Sequence, residues 1–340
     1  MKNIIFKLWN PAGLFNQVIS VELGVGLATL SERQITWHNI KNHNGQSIFT
    51  ANYNYNDRNG KIDLDSFPRI TDLLEWQNKD NHIFIDDLIS APSENIQKID
   101  NLMQYYHSNE DDPDFAEGRT RLQLDENVDW DIRGTLGLYS RFFNNRSDAL
   151  NTALSSVNFK REYLEFAELV AKSLGDFNGA HLRLTDHVRA GGVAQNMNMT
   201  DSTLDFYEAG LSKLKGNLPI VLSTCEPSNE IITKSNREAI LIDDYILNNF
   251  YNEFRELPFK EEVVLGLLSN LVMHHSQDFI GTPGSTFSAY IHRKINQKRD
   301  IGFKLFIEED FEGTGKYSWN GYNKESETKQ FWREWKESKI

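Results

Sequence analysis

The sharpest candidate for chemistry in this sequence is a strand-like run, Gly179–Leu184, that leads into polar side chains. Period-two alternation along a strand places His181 and Arg183 on the same side, and Asp186 follows the run. A guanidinium at the carboxyl end of a parallel strand is well shaped to hold a phosphate, through hydrogen bonds of about 1.5–3 kcal/mol each. The alternative is a buried histidine beside an Arg–Asp ion pair, which needs no ligand.

A second candidate is Asp278–Ser288, where a short apolar run meets two glycines and then hydroxyl residues. Ser285 and Thr286 stand where the next helix is expected to begin, so their hydroxyls and the unpaired backbone N–H groups would form an anion site. The alternative is an ordinary capped helix. A third segment, Asn10–Gln17, places carboxamides such as Asn16 at the start of the first helix, where simple turn chemistry is the alternative.

The elements around these segments alternate between strand and helix, as in parallel sheets covered by helices. The predicted strands are Ile4–Leu8, Ile35–Trp37, Ile48–Ala51, Ile83–Asp86, Gly179–Leu184, Leu218–Ser223, Ala239–Ile242, Asp278–Ile280 and Gly302–Ile307. The predicted helices are Phe15–Leu30, Leu136–Phe143, Ser147–Ser155, Phe159–Leu174, Ser202–Leu214, Glu230–Ser235, Phe259–His275 and Ser285–Asn296. The sequence therefore predicts an α/β protein with two Rossmann-like domains whose parallel sheets face each other across a cleft.

The length of the chain fits this organisation, since 340 residues exceed one ordinary core and suit about two domains. We expect one domain over residues 1–158 and a second domain over residues 159–310. The remaining residues, 311–340, are expected to form a tail. Its aromatic residues Phe331, Trp332 and Trp335 share one face of a helix, which predicts that the tail packs back on the first domain.

Composition excludes several classes of function. The net charge is −13 and the lysines and arginines are scattered, so nucleic acid is not an expected partner. Cys225 is the only cysteine, which rules out an internal disulfide or a cysteine-based zinc cluster and indicates a reducing, cytoplasmic location. No apolar stretch of about 18 residues occurs, so no membrane span is expected.

In this order, the three candidate segments resemble motifs of the peptide O-fucosyltransferase and α-1,6-fucosyltransferase superfamily. The first domain opens with a Gly–Phe–Asn type of loop. Gly179–Val188 is similar to the segment of the α-1,6 enzymes that reads His-x-Arg-Arg-Thr-Asp-Lys-Val, and Phe279–Ile291 is closer to the peptide O-fucosyltransferases. The resemblance implies a GT-B fold and a metal-independent, inverting transfer of fucose from GDP-fucose, the donor substrate, to a glycan or peptide hydroxyl. It implies no separate cofactor, and it makes residues 1–158 the acceptor-side domain and residues 159–310 the domain that binds the nucleotide sugar.

The resemblance also implies roles for individual side chains. It assigns catalysis to Arg183, at the β-phosphate, and to Asn16, beside the donor sugar and the acceptor. It places His181 at the guanine or the ribose. The full set of side chains that it brings to the donor is His181, Arg183, Asp186, Asn270, Asp278, Ser285, Thr286 and Phe287.

Several positions depart from the family's pattern, and the first is Leu184, which stands where the α-1,6 enzymes carry a second arginine. Gly191 stands where the α-1,6 enzymes carry a glutamate base, and Gly13 and Leu14 stand where some peptide enzymes have one. Asn270 replaces an aspartate that accepts hydrogen bonds from guanine, and a carboxamide offers one acceptor oxygen and no charge. Two alternatives therefore stand beside the main hypothesis: a different nucleotide-sugar donor, and a non-catalytic glycan- or peptide-binding protein on a transferase scaffold.

Overall fold

The computed structural model describes residues 2–8, 14–38, 70–76, 82–85, 96–99, 127–135, 157–182, 211–212, 214, 216–224, 237–259, 262–281, 287–288, 290–291 and 294–295. These residues belong to two compact units. The first unit holds the described residues up to Lys160, and the second holds those from Arg161 onward. Each unit contains its own parallel sheet.

The first unit is built on a parallel sheet that includes five of the described strands. Its elements are β1 (Asn3–Leu8), α1 (Leu14–Ser31), β2 (Gln34–His38), α2 (Ile70–Leu73), β3 (Leu74–Trp76), β4 (His82–Ile85), β5 (Ile96–Ile99), β6 (Asp129–Thr135) and β7 (Val157–Phe159). The strand order is β4-β2-β1-β6-β5, and every neighbouring pair is parallel. The strands β3 and β7 form a separate antiparallel pair.

Helix α1 packs closely on the central strands of the first sheet. Phe6 of β1 and Trp37 of β2 are paired across the ladder, and their rings meet edge to face with centroids 5.3 Å apart. Gly24 of α1 lies over Trp37, since a Cβ added there would come within 2.5 Å of Trp37 Cη2. The absence of a side chain at Gly24 therefore lets the helix approach the sheet.

The second unit is a smaller parallel sheet with helices. Its elements are α3 (Arg161–Leu174), β8 (Asn178–Leu182), β9 (Ile220–Thr224), β10 (Ala239–Leu241), α4 (Ile242–Asn249), α5 (Tyr251–Glu256), α6 (Glu262–Met273) and β11 (Phe279–Ile280). The strand order is β10-β9-β8-β11, again with parallel pairs. Further helical residues follow β11 at 287–288, 290–291 and 294–295.

Helix α6 is enclosed on most sides. Its sequence is apolar around the helix, and every residue from Leu267 to Met273 is buried. The amphipathic helix α3 packs against it through its buried face. Ser269 and Asn270 are the polar residues of this buried stretch, so their side chains must find hydrogen-bond partners inside the protein.

The predicted α/β class with parallel sheets is confirmed, and the predicted strands at β1, β2, β4, β8 and β9 are present. Several predicted boundaries differ from the structure by one to three residues, among them the start of β9 and both ends of α6, and two of the differences have a clear local reason. The strand predicted over Ala239–Ile242 ends at Leu241 in the structure, because Ile242 is the first residue of α4. The predicted helix Phe159–Leu174 begins at Arg161 because Phe159 instead pairs with Leu74 of β3.

Some predictions concern other parts of the chain. The strand Gly302–Ile307 and the tail over residues 311–340 lie outside the described residues. In the described part of the chain, no helix has the length and apolar character needed to cross a membrane.

Gly24→Ala should destabilise the protein because the new methyl group would overlap the buried indole of Trp37. We expect a loss of about 1–3 kcal/mol in the free energy of unfolding, measured by urea denaturation. Gly266→Ala is the matched control, because this glycine also lies in a helix but a Cβ there would meet no atom within 4 Å. The control should gain up to about 1 kcal/mol from helix propensity. Equal effects of the two changes would contradict the close approach.

Candidate functional site

The second sheet reverses its direction of growth beside β8. From β8 the chain adds β9 and then β10 on one side, and it later returns to place β11 on the other side. Open parallel sheets bind ligands outside the carboxyl ends of their strands at such a reversal, the topological switch point. Here it lies between β8 and β11, which pair through Ala180 and Ile280. The next residues, His181 and Gly281, therefore mark the edge where a ligand is expected.

His181 lies near the carboxyl end of β8, and its side chain contacts two residues that follow β11 in the chain. Its side chain is 2% exposed, and its Nδ1 atom lies 2.7 Å from Ser288 Oγ. The imidazole also lies against the ring of Phe287, with centroids 4.4 Å apart and planes tilted by 31°. Because Phe287 and Ser288 are consecutive, the two contacts together restrain both the position and the rotation of the imidazole. Two segments that the sequence singled out separately thus meet at one histidine.

Gly281 allows Ser288 to come this close to the strand. A Cβ added to Gly281 would collide with Ser288 Cβ and would lie 2.7 Å from Ser288 Oγ and 3.1 Å from Phe279 Cε1. These separations are shorter than ordinary contact distances, so a side chain at position 281 would push Ser288 away from His181. The first glycine of the segment is therefore required by a close approach at the edge of the sheet.

Asn270 holds the segment that contacts His181. It is fully buried on α6, and its Nδ2 donates a hydrogen bond to the backbone carbonyl of Phe287 over 3.0 Å. Its Oδ1 lies 3.0 Å from Nε2 of His274, one turn further along the chain. The sequence predicts that Asn270 binds the nucleotide-sugar donor, but in the structure its side chain forms hydrogen bonds with other residues of the protein.

Asp278 is not brought together with His181. It precedes β11 at the amino end of the strand, whereas His181 lies near the carboxyl end of the neighbouring strand β8. Its Oδ1 accepts a hydrogen bond from the backbone N–H of Phe279 over 3.0 Å. The contact of Asp278 with the nucleotide-sugar donor stays a prediction from the sequence. Among the described residues, no three His, Cys, Asp or Glu side chains form a group that could hold a metal ion.

The first sheet has a switch point of its own. From β1 the sheet grows through β2 to β4 on one side, and β6 and β5 lie on the other side, so the reversal falls between β1 and β6. Helix α1 follows β1, and Asn16 is the third residue of that helix. The structure thus places the backbone of Asn16 just after the strand that borders the reversal.

Four predicted site residues, Arg183, Asp186, Ser285 and Thr286, lie outside the described residues. Two other residues of the site were not predicted from the sequence. Ser288 was quoted in its segment but given no role, and His274 was given none that involves His181. The available signal for His274 was its spacing of four residues from Asn270, which places both on one face of a helix.

Comparisons with known proteins give structural matches. No protein-family model matches the chain, and no curated protein does. The fucosyltransferase NodZ from Bradyrhizobium is 10% identical with a TM-score of 0.48, over 86% of this chain and 91% of that one. POFUT1 in complex with GDP-fucose is 12% identical with a TM-score of 0.41, over 87% and 95%.

A mutant of FUT1 from Arabidopsis thaliana in complex with GDP is 11% identical with a TM-score of 0.40, over 86% of this chain and 68% of that one. The chain is therefore similar to solved fucosyltransferases along most of its length. At TM-scores below 0.5, this similarity assigns no role to any residue of the chain.

Gly281→Ala should separate Ser288 from His181 because the added methyl group occupies the position of the Ser288 side chain. We expect a loss of about 1–3 kcal/mol in the free energy of unfolding. In a Ser288→Gly background the same change should cost less, since the colliding Cβ is gone. A double-mutant cycle by urea denaturation measures this coupling. The same cost in both backgrounds would show that the two residues do not touch.

Proposed function

We propose that this chain is a glycosyltransferase of the fucosyltransferase superfamily that transfers fucose from GDP-fucose to a hydroxyl of a glycan or a peptide. One observation carries the proposal: the buried contact of His181 with Phe287 and Ser288. This contact joins two of the segments that carry the sequence resemblance, and it does so at the switch point, where an open parallel sheet binds ligands.

The residues with the strongest expected chemistry are close neighbours of that contact along the chain. Arg183 follows His181 by two residues, and Thr286 directly precedes Phe287. The proposed donor site therefore extends from His181 to the guanidinium of Arg183 and to the hydroxyls of Ser285 and Thr286. Backbone N–H groups at the start of the helical residues after β11 would supply further donors to a diphosphate.

This arrangement suits a reaction in which negative charge develops on the leaving group. In the inverting reaction, the acceptor oxygen attacks the anomeric carbon from the face opposite to the diphosphate. The bond from that carbon to the β-phosphate oxygen breaks, and GDP leaves with the electron pair. A fixed guanidinium and oriented N–H donors stabilise this charge more in the transition state than in the bound donor. No metal ion is required for that step.

The acceptor side is proposed to lie at the first sheet. Asn16, in the first turn of α1, would hold the donor sugar and the acceptor through its carboxamide. The proton of the acceptor hydroxyl passes to a base other than the family's glutamates, because Gly191, Gly13 and Leu14 occupy their positions. The proposal includes a cytoplasmic location, supported by the single cysteine, Cys225.

A second candidate keeps the fold and changes the donor. It is favoured by the hydrogen bonds of Asn270, whose carboxamide is bonded to Phe287 and His274 and carries no negative charge toward a base. Without a carboxylate at this position, a nucleotide sugar other than GDP-fucose becomes a candidate substrate. A third candidate, a non-catalytic glycan- or peptide-binding protein, is favoured by the missing glutamates.

Arg183→Ala should lower donor turnover by a factor on the order of 100 or more, because the leaving group loses its cation. Release of GDP from GDP-fucose is the measurement. Arg161→Ala is the control: it removes the same charge from an exposed residue of α3 that pairs with Glu165 over 2.7 Å. The control should keep wild-type turnover. Turnover that Arg183→Ala leaves unchanged would remove the proposed catalytic role.

GDP should raise the thermal midpoint of unfolding, whereas UDP and ADP should not. Binding to the folded form alone contributes about 2.7 kcal/mol of stability at a ligand concentration one hundred times Kd. Parallel thermal shifts with the three nucleotides make the comparison. A response to UDP alone would favour the second candidate, and tight glycan binding with no nucleotide response would favour the third.

A further inference from the structure

The side chain of Asn270 has one chemically consistent orientation. The backbone carbonyl of Phe287 can only accept a hydrogen bond, so the amide nitrogen of Asn270 must face it. The amide oxygen then faces Nε2 of His274. An oxygen can only accept there, which requires a proton on Nε2 of His274. The resulting chain of hydrogen bonds runs from Nε2 of His274 through the side chain of Asn270 to the carbonyl of Phe287.

The end of this chain lies directly behind His181. Phe287 receives the hydrogen bond from Asn270 on its carbonyl, while its ring lies against the imidazole of His181. The next residue, Ser288, lies within hydrogen-bond distance of the same imidazole. His274 adds a second attachment, since its ring centroid lies 5.9 Å from that of Tyr290 in the same helical stretch. Asn270 of α6 and His274, which follows the last residue of α6, therefore hold this stretch at two points that are three residues apart.

We propose that Asn270 and His274 are positioning residues that set Phe287 and Ser288 against His181, and that residue 270 serves the site as a hydrogen-bond donor rather than as a reader of the nucleobase. The amide nitrogen of Asn270 distinguishes the positioning role from the reading of a nucleobase. A carboxylate at position 270 would accept from His274 equally well, but it would face the carbonyl of Phe287 with a second oxygen. At position 270, an amide nitrogen can donate a hydrogen bond to that carbonyl and a carboxylate oxygen cannot.

The two roles predict opposite effects of one nearly isosteric change, Asn270→Asp. If residue 270 positions Phe287, the aspartate repels the carbonyl of Phe287 and disturbs the contacts at His181. If residue 270 reads a guanine, the aspartate adds an acceptor and a negative charge toward the N–H groups of the base. Positioning therefore predicts weaker binding of GDP, and reading predicts tighter binding.

The test follows the imidazole of His181 directly by 15N NMR of histidine-labelled protein, with the signals assigned by a His181→Gln variant. Asn270→Asp should shift the ring-nitrogen signals of His181 and weaken GDP binding, measured by calorimetry, by at least about tenfold. Ser269→Ala is the matched control. Ser269 is also fully buried on α6, but its Oγ donates to Asp243 of α4 over 2.5 Å. It should lower the thermal midpoint and leave the His181 signals and GDP affinity unchanged.

A second pair of variants keeps the test decisive if Asn270→Asp does not fold. His274→Gln retains a donor near the position of Nε2 and should preserve the His181 signals, whereas His274→Leu removes it and should shift them. Unchanged His181 signals in both Asn270→Asp and His274→Leu, or tighter GDP binding by Asn270→Asp, would overturn the proposal. The binding arm rests on the proposed function, but the NMR arm does not. A protein that binds no GDP yet shows the shifts would refute the function and retain the positioning role.

Discussion

The buried contact between His181 Nδ1 and Ser288 Oγ is the interaction on which the candidate site depends. An imidazole buried to this extent costs roughly 1–3 kcal/mol if its polar atoms lose their partners, so the protein must keep the two residues together. They are 107 residues apart in sequence. Keeping them together fixes the relative position of the two chain segments with the strongest expected chemistry. The stacking of Phe287 on the same imidazole reinforces this constraint.

Strand topology makes the contact possible. The chain builds β9 and β10 on one side of β8 and then crosses to lay β11 on the other side, so segments distant in sequence leave the sheet at adjacent carboxyl ends. Two glycines allow the close packing. A Cβ on Gly179 would lie 2.9 Å from both Met273 Sδ and Phe279 Cδ2, and one on Gly281 would collide with Ser288. The site is thus formed by packing as well as by polar chemistry.

The sequence predicted the regular parts of this arrangement. The apolar runs of β1, β8 and β9 and the spacing of α1 gave their positions to within about two residues, because burial on one or both faces leaves a strong periodic signal. The glycine and hydroxyl pattern after β11 also predicted a junction at the edge of the sheet. What the pattern could not give was the partner of His181, because pairing between distant strands depends on tertiary packing.

Other elements were missed because their local sequence carries a weak signal. Strand β6 reads Asp129–Thr135 and alternates charged with apolar residues, yet Asp131 is buried in it. It is stabilised from outside the strand: the guanidinium of Arg33 lies 3.7 Å from the ring centroid of Trp130 and donates to the carbonyl of Val128. Asn270 was read from its position in a motif, and only the structure shows its hydrogen bonds with Phe287 and His274.

The central claim is that a nucleoside diphosphate binds outside the carboxyl ends of β8 and β11. A crystal structure of the protein with GDP is its most direct test. The account predicts the pyrophosphate within hydrogen-bond distance of the Arg183 guanidinium and of the backbone N–H groups at residues 285–286, with His181 beside the nucleoside. A nucleotide bound at the amino ends of these strands, near Asp278, would contradict it.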